Sequence, residues 1–393
     1  MITNTDKLKV MVLSADEENI KAVKLSLDQL GFKSIEIVNS GLDALEKIKA
    51  KPFDFIICDQ NSRFISGWLF IKEIKISDQV PNIPVLLLGK MKTPDTEDAL
   101  KRYGVLKYLQ CPVSSSTLNF LISSTITLAK TSGTIEYKFS KAKDSLMKNQ
   151  LDEAIEAFSE LRSLTNGNAR SSIGLAQSYQ KQGDEEKAEK ILMEVADSSD
   201  DTPARLLMQI QISLKQSRPK DANKYCEKLL TDVPNEFYFT KVAWLYIDSN
   251  YPQDAEGFCH KAIAANYEIP VFYLCLAKSN YLKGNMLKAL EIIGTSSSHF
   301  GMDAELFNLK GVCLKKIGKF KEAIECYEEA LRLAPNDAKI YFNMAMCNIG
   351  IKDYESATRQ LTTCVKISPN FPKAKEKLDE LINRDTLGTK PAA

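Results

Sequence analysis

Two hydrophobic rhythms divide the chain. Up to about residue 130, short continuous apolar runs alternate with stretches of helical period. The runs are KVMVLS (9–14), SIEIV (34–38), FDFIICD (53–59), IPVLLLG (83–89) and VLKYL (105–109), and the helical stretches are roughly 17–30, 41–50, 67–77, 95–103 and 115–129. Continuous apolar strands separated by helices predict a parallel sheet covered on both faces. Beyond residue 136 the strand pattern disappears, and pairs of amphipathic helices are expected to the end of the chain.

An alanine recurs in one local setting at Ala154, Ala188, Ala222, Ala255, Ala289, Ala323 and Ala357, a step of 34 residues broken once by 33. Twelve residues earlier stand Ala142, Ala176, Ile210, Ala243, Ala277, Gly311 and Ala345, small in six of seven cases. Small residues at matching points let two antiparallel helices approach closely. Turn signals lie between them, such as KQGD (181–184), KGN (283–285), KIGK (316–319) and IKDY (351–354), and Pro234, Pro335 and Pro369 follow second helices. This pattern resembles the tetratricopeptide repeat (TPR) family over residues 135–372, most strongly at 304–337 and 338–371 and more loosely where Lys138 and Ile210 depart from it. In the fifth repeat GTSSSHFG (294–301) predicts a short or kinked second helix, and 373–384 reads as a polar capping helix. The resemblance implies an all-α superhelical solenoid whose first helices line a peptide groove. It places Lys143, Gln177, Gln211, Lys241, Trp244, Lys278, Tyr281, Lys315, Lys316, Asn343 and Met346 on that face. Basic heads beside Trp244 and Tyr281 suit a partner segment carrying acidic and apolar residues. Of the carboxylate clamp that some members use for chaperone tails, only Asn343 is present.

The five βα units of the first part match a flavodoxin-like doubly wound fold, with sites beyond the carboxyl ends of the strands. Its ordered landmarks are SADEEN after the first run, QLGF (29–32), SGLDALEKI (40–48), FIICDQN (55–61), SGW (66–68), IPVLLLGK (83–90) and YLQCPV (108–113). This series resembles the receiver domain of two-component response regulators over residues 7–130. The resemblance implies a phosphoacceptor aspartate at Asp59, an adjoining backbone ligand at Asn61 and a Mg²⁺ ion shared with an acidic pair. That pair falls on Ser14 and Ala15, leaving only Asp16. The hydroxyl expected after the fourth strand falls on Gly89 and the expected lysine on Cys111, while Tyr108 keeps the aromatic switch position. A degenerate site is therefore expected, with Mg²⁺ relevant only if Asp59 is functional and no other cofactor.

The boundaries expected are 1–130 for the receiver-like domain, 131–136 for a linker, 137–372 for seven repeats, 373–384 for the cap and 385–393 for a flexible tail. Composition changes little in this picture. A net charge of +1, split as about +2 before residue 131 and about −1 after it, argues against a nucleic-acid partner. MITNTDKLKV lacks the regions of a signal peptide and no apolar run reaches membrane-span length, so a cytoplasmic chain without membrane association is expected. Nine cysteines without a CxxC pair read as reduced packing residues, and His260 and His299 have no partner at ligand spacing. Nucleotide-binding and nucleophile motifs are absent, so no enzyme is expected. The leading reading is a bacterial-type signalling adaptor that meets other proteins, a histidine kinase or another signalling protein among them, through the receiver surface and the TPR groove. The alternatives are a response regulator phosphorylated on Asp59 that controls partner binding, and a structural assembly factor.

Overall fold

The computed structural model describes residues 5–61, 65–90, 94–112, 114–195, 202–232 and 235–387. The chain folds as two compact units, Met1–Gln216 and Ser217–Ala393.

The first unit opens with alternating strands and helices: β1 (Lys9–Leu13), α1 (Glu17–Gln29), β2 (Ser34–Val38), α2 (Gly41–Ala50), β3 (Phe55–Asp59), α3 (Gly67–Ile76), β4 (Val85–Gly89), α4 (Pro94–Tyr103), β5 (Lys107–Gln110) and α5 (Ser115–Lys130). All strand pairs are parallel, in the order β2-β1-β3-β4-β5. The three central strands are apolar because helices cover both faces: β3 and β4 are buried throughout, and β1 from its second residue. Side-chain oxygens of Asp16, Ser40, Ser66 and Ser114 accept from the free N–H groups that open α1, α2, α3 and α5. Five helices complete this unit: α6 (Ile135–Met147), α7 (Leu151–Leu164), α8 (Ala169–Gln182), α9 (Glu185–Glu194) and α10 (Thr202–Lys215).

The second unit is wholly helical: α11 (Pro219–Asp232), α12 (Glu236–Asp248), α13 (Pro252–Ala264), α14 (Pro270–Leu282), α15 (Met286–Phe300), α16 (Ala304–Lys316), α17 (Phe320–Leu333), α18 (Ala338–Gly350), α19 (Tyr354–Ile367) and α20 (Pro372–Leu387). The seven periodic alanines are all 0% exposed, as are Ala142, Ala176, Ile210, Ala243, Ala277 and Ala345. A methyl group on Gly311 would lie 2.6 Å from the Tyr327 ring, which explains the glycine at that helix crossing. Eight of the nine cysteines are buried and all are free.

A second periodicity appears in the backbone. The first helix of every repeat is followed by a left-handed residue, at Asn149, Gly183, Ser217, Asn250, Gly284, Gly318 and Lys352.

Two expectations need correction. The second helix of the fifth repeat, α15, is not short: it runs for 15 residues, through the whole polar stretch as far as Phe300. Thr295 and Ser298 donate back to carbonyls within the helix, so its polar stretch stays helical. The capping helix α20 extends to Leu387, into the stretch expected to be tail, while 388–393 lie outside the described residues.

Candidate functional site

Asp59 ends β3, the central strand, and is 6% exposed. It lies in a pocket of about 230 Å³ at the carboxyl ends of the strands, with Ala15, Asp16, Asn19, Asn61, Gly89, Lys90 and Cys111. Both carboxylate oxygens accept hydrogen bonds from the chain. Oδ2 accepts from Ser14 Oγ at 3.1 Å and Asn19 Nδ2 at 2.9 Å, and Oδ1 from the Asn61 backbone N–H at 3.1 Å. Asp16 is committed elsewhere, since its Oδ1 accepts from the Glu18 and Asn19 N–H groups at the start of α1.

The remaining positions agree with one another. A methyl group on Gly89 would lie 2.4 Å from the Tyr108 hydroxyl and 2.5 Å from Gln60 Oε1, so the tyrosine occupies the space a side chain at 89 would need. Burial, followed by Asp59 and Asp16, pushes the Cys111 thiol up, which keeps it neutral at physiological pH. No positive charge stands at that position.

In the repeats, the predicted groove residues divide. In the second unit, the Lys278 ammonium lies 4.6 Å from the centroid of Trp244, and Lys241 lies 4.4 Å from that of Phe237. Trp244 and Tyr281 are partly buried against a cluster containing Leu274, Ala277 and Ile293. Lys315 Nζ donates to Asn343 Oδ1 at 3.0 Å, and Asn343 Nδ2 donates to Asn308 Oδ1 at 3.2 Å. Lys316 is exposed, whereas Met346 packs against the cluster of Ala345, Ala357 and Leu361. In the first unit Lys143 is not available as a groove residue. It is 3% exposed, and its Nζ donates to the Ile74 and Lys75 carbonyls at 3.0 and 3.3 Å. Gln177 is similarly engaged, donating to the Ile76 carbonyl at 3.1 Å.

Comparison with known proteins gives the same division. The response regulator receiver domain profile matches residues 10–122, and tetratricopeptide repeat profiles match 145–209, 304–337 and 338–371. Residues 10–122 form a receiver domain, and tetratricopeptide repeats follow it. The receiver is 29% identical over 121 residues to transcriptional regulatory protein ZraR of Klebsiella oxytoca, covering 31% of this chain and 27% of that protein. It is 28% identical over 113 residues to ZraR of Escherichia coli K12, covering 29% and 25%. The chain thus spans about a quarter of the length of these curated relatives. Among solved structures, a putative response regulator from Chloroflexus aurantiacus is 21% identical, covering 30% of this chain and 98% of its own, at a TM-score of 0.29. A tetratricopeptide repeat protein from Parabacteroides merdae is 17% identical, covering 63% and 98%, at 0.43.

Receiver domains can hold Mg²⁺ at their acidic site, but the residues around Asp59 do not fit the ion. Mg²⁺ calls for an octahedron of oxygens and usually more than one anionic ligand. Ser14 and Asn19 direct hydroxyl and amide donors at Asp59 Oδ2, where a cation site would call for further anionic oxygens. Among the described residues, no group of three His, Cys, Asp or Glu side chains could hold a metal. Asn19 was missed in the sequence because the SADEEN landmark draws attention to its acids, although one helical turn after Asp16 is where a side chain returns to the pocket. Asn308 was likewise missed; it precedes Asn343 by one repeat and one residue.

Proposed function

We propose that the chain is a signalling adaptor acting by recognition and not by phosphoryl transfer. The hydrogen bonding of Asp59 carries this reading. It accepts from a hydroxyl, an amide and a backbone N–H, and the pocket's other acid, Asp16, has Oδ1 engaged by the N–H groups that open α1. An aspartate so held has its hydrogen bonds met within the chain, while Gly89 and Cys111 offer an incoming phosphoryl group neither a hydroxyl nor a cation. The genuine response regulator remains the second reading, favoured by the position of Asp59 in an open pocket beside Lys90.

Partner recognition falls to the first-helix face of the second unit. Trp244 under Lys278, with Lys241, Lys315 and Lys316 nearby in the repeat register, favours a segment that alternates aromatic and acidic side chains. Fluorescence anisotropy with a labelled acidic-aromatic peptide, and with a control whose acids are exchanged for lysines, tests this on the whole chain. The acidic probe is expected to bind more tightly, to weaken with added salt, and to lose about tenfold in affinity with Lys278→Glu, the scale of one desolvated cation–π contact. Equal binding of both probes, or no response to Lys278→Glu, would overturn it.

A further inference from the structure

The last turn of α3 meets the repeats through every kind of group it offers. Its final side chain, Ile76, packs against the apolar cluster of Phe139, Ala142 and Ile173 in α6 and α8. Its three last carbonyls, which no helical N–H can reach, are taken by Lys143 and Gln177. Just beyond the helix, Asp78 pairs with Lys181 at 3.1 Å. Lys143 and Gln177 are one repeat apart and occupy equivalent places on the first helices of repeats one and two, in the register that continues to Trp244 and Lys278.

A buried polar cluster closes the opposite side of the turn. Arg170 on α8 forks onto Glu136 of α6 at 2.6 and 3.1 Å and reaches Asn82 at 3.0 Å, while Lys75 donates to Asn82 at 2.8 Å. The Glu136 carboxylate lies close over Gly104, where a methyl group would be 1.9 Å from its oxygen. Groups from α3, the α3–β4 loop, the α4–β5 turn, α6 and α8 therefore converge on one seam. Such a seam is not what a flexible linker between independent domains produces.

We propose that the first-helix face of repeats one and two is the seat of the chain's own receiver, with the last turn of α3 as its occupant. The receiver and these two repeats then act as one module, and partner segments are left to the later repeats. This inference does not depend on the chemistry of Asp59. At its other end α3 begins at Gly67, where a methyl group would lie 2.1 Å from the Asp59 carbonyl oxygen.

Hydrogen exchange on the full chain, read by mass spectrometry, tests the seam. Ile76→Asp places a carboxylate in the apolar contact, and Asp78→Lys sets two cations against each other at its rim. Both are expected to speed amide exchange in α6 and α8 together with the end of α3, about tenfold or more for Ile76→Asp and less for Asp78→Lys, while β1 and β3 stay protected. Exchange that changes only between residues 74 and 80, with α6 and α8 as in the wild type, would overturn the proposal. If Ile76→Asp does not fold, Asp78→Lys decides by the same reading.

Discussion

Glu136 receives two buried cations, Arg170 and Lys75. Burial alone would raise its carboxyl, yet Arg170 and Lys75 beside it hold it below the usual carboxylate range. Lys75 moves the other way, since burial pushes its ammonium down to about 8. Removing one member of such a group strands the others, which typically costs about 3–5 kcal/mol. Glu136→Gln is expected to destabilise the first unit by that order in chemical denaturation at neutral pH. The sign with pH follows from the lowered pKa. The stabilisation is complete above the ordinary value of 4.5 and is lost as pH falls through the depressed folded value, so wild type and variant should converge in acid. A gap that persists or widens on acidification would contradict this account. None of these partners could be paired from the sequence. Arg170 and Asn82 are 88 residues apart, and only the fold brings them to one carboxylate.

At the scale of elements, each first helix ends in a left-handed residue, and the chain meets this need in different ways. Glycine does so at 183, 284 and 318, asparagine at 149 and 250, and Lys352 carries a full side chain at φ 67°. Only glycine enters this region without a steric penalty, and asparagine is better tolerated than most residues. Lys352→Gly is therefore expected to stabilise the second unit by about 0.5–1 kcal/mol, seen as a higher denaturation midpoint. No change or a loss would show that the lysine side chain compensates. The alanine register was legible because the closest helix crossings admit only small side chains and recur with the repeat. Likewise the strands announced themselves as continuous apolar runs, since a sheet covered on both faces has no polar side. The fate of α15 was less legible: GTSSS reads as a breaker by composition, but Thr295 and Ser298 donate to carbonyls of their own helix and the stretch stays helical. Asp59 could be placed from the receiver resemblance, whereas its donors come from the β1–α1 turn (Ser14), α1 (Asn19) and the residue pair after β3 (Asn61), and only the fold brings them together.

For the whole molecule, compactness groups the chain as Met1–Gln216 and Ser217–Ala393, so the receiver of residues 10–122 shares its unit with the first repeats. A sequence displays where one period gives way to another, but not which surfaces then bury each other. The aromatic and basic face proposed to bind a peptide, with Trp244 and Lys278, lies in the unit Ser217–Ala393. The function proposed for this chain is recognition, and that proposal turns on Asp59 not being a phosphoryl acceptor. Intact-mass measurement of the full chain after incubation with acetyl phosphate and Mg²⁺ addresses it most directly. The account predicts an unchanged mass for the wild type and for Asp59→Asn alike. A Mg²⁺-dependent gain of one phosphoryl group that disappears in Asp59→Asn would contradict it.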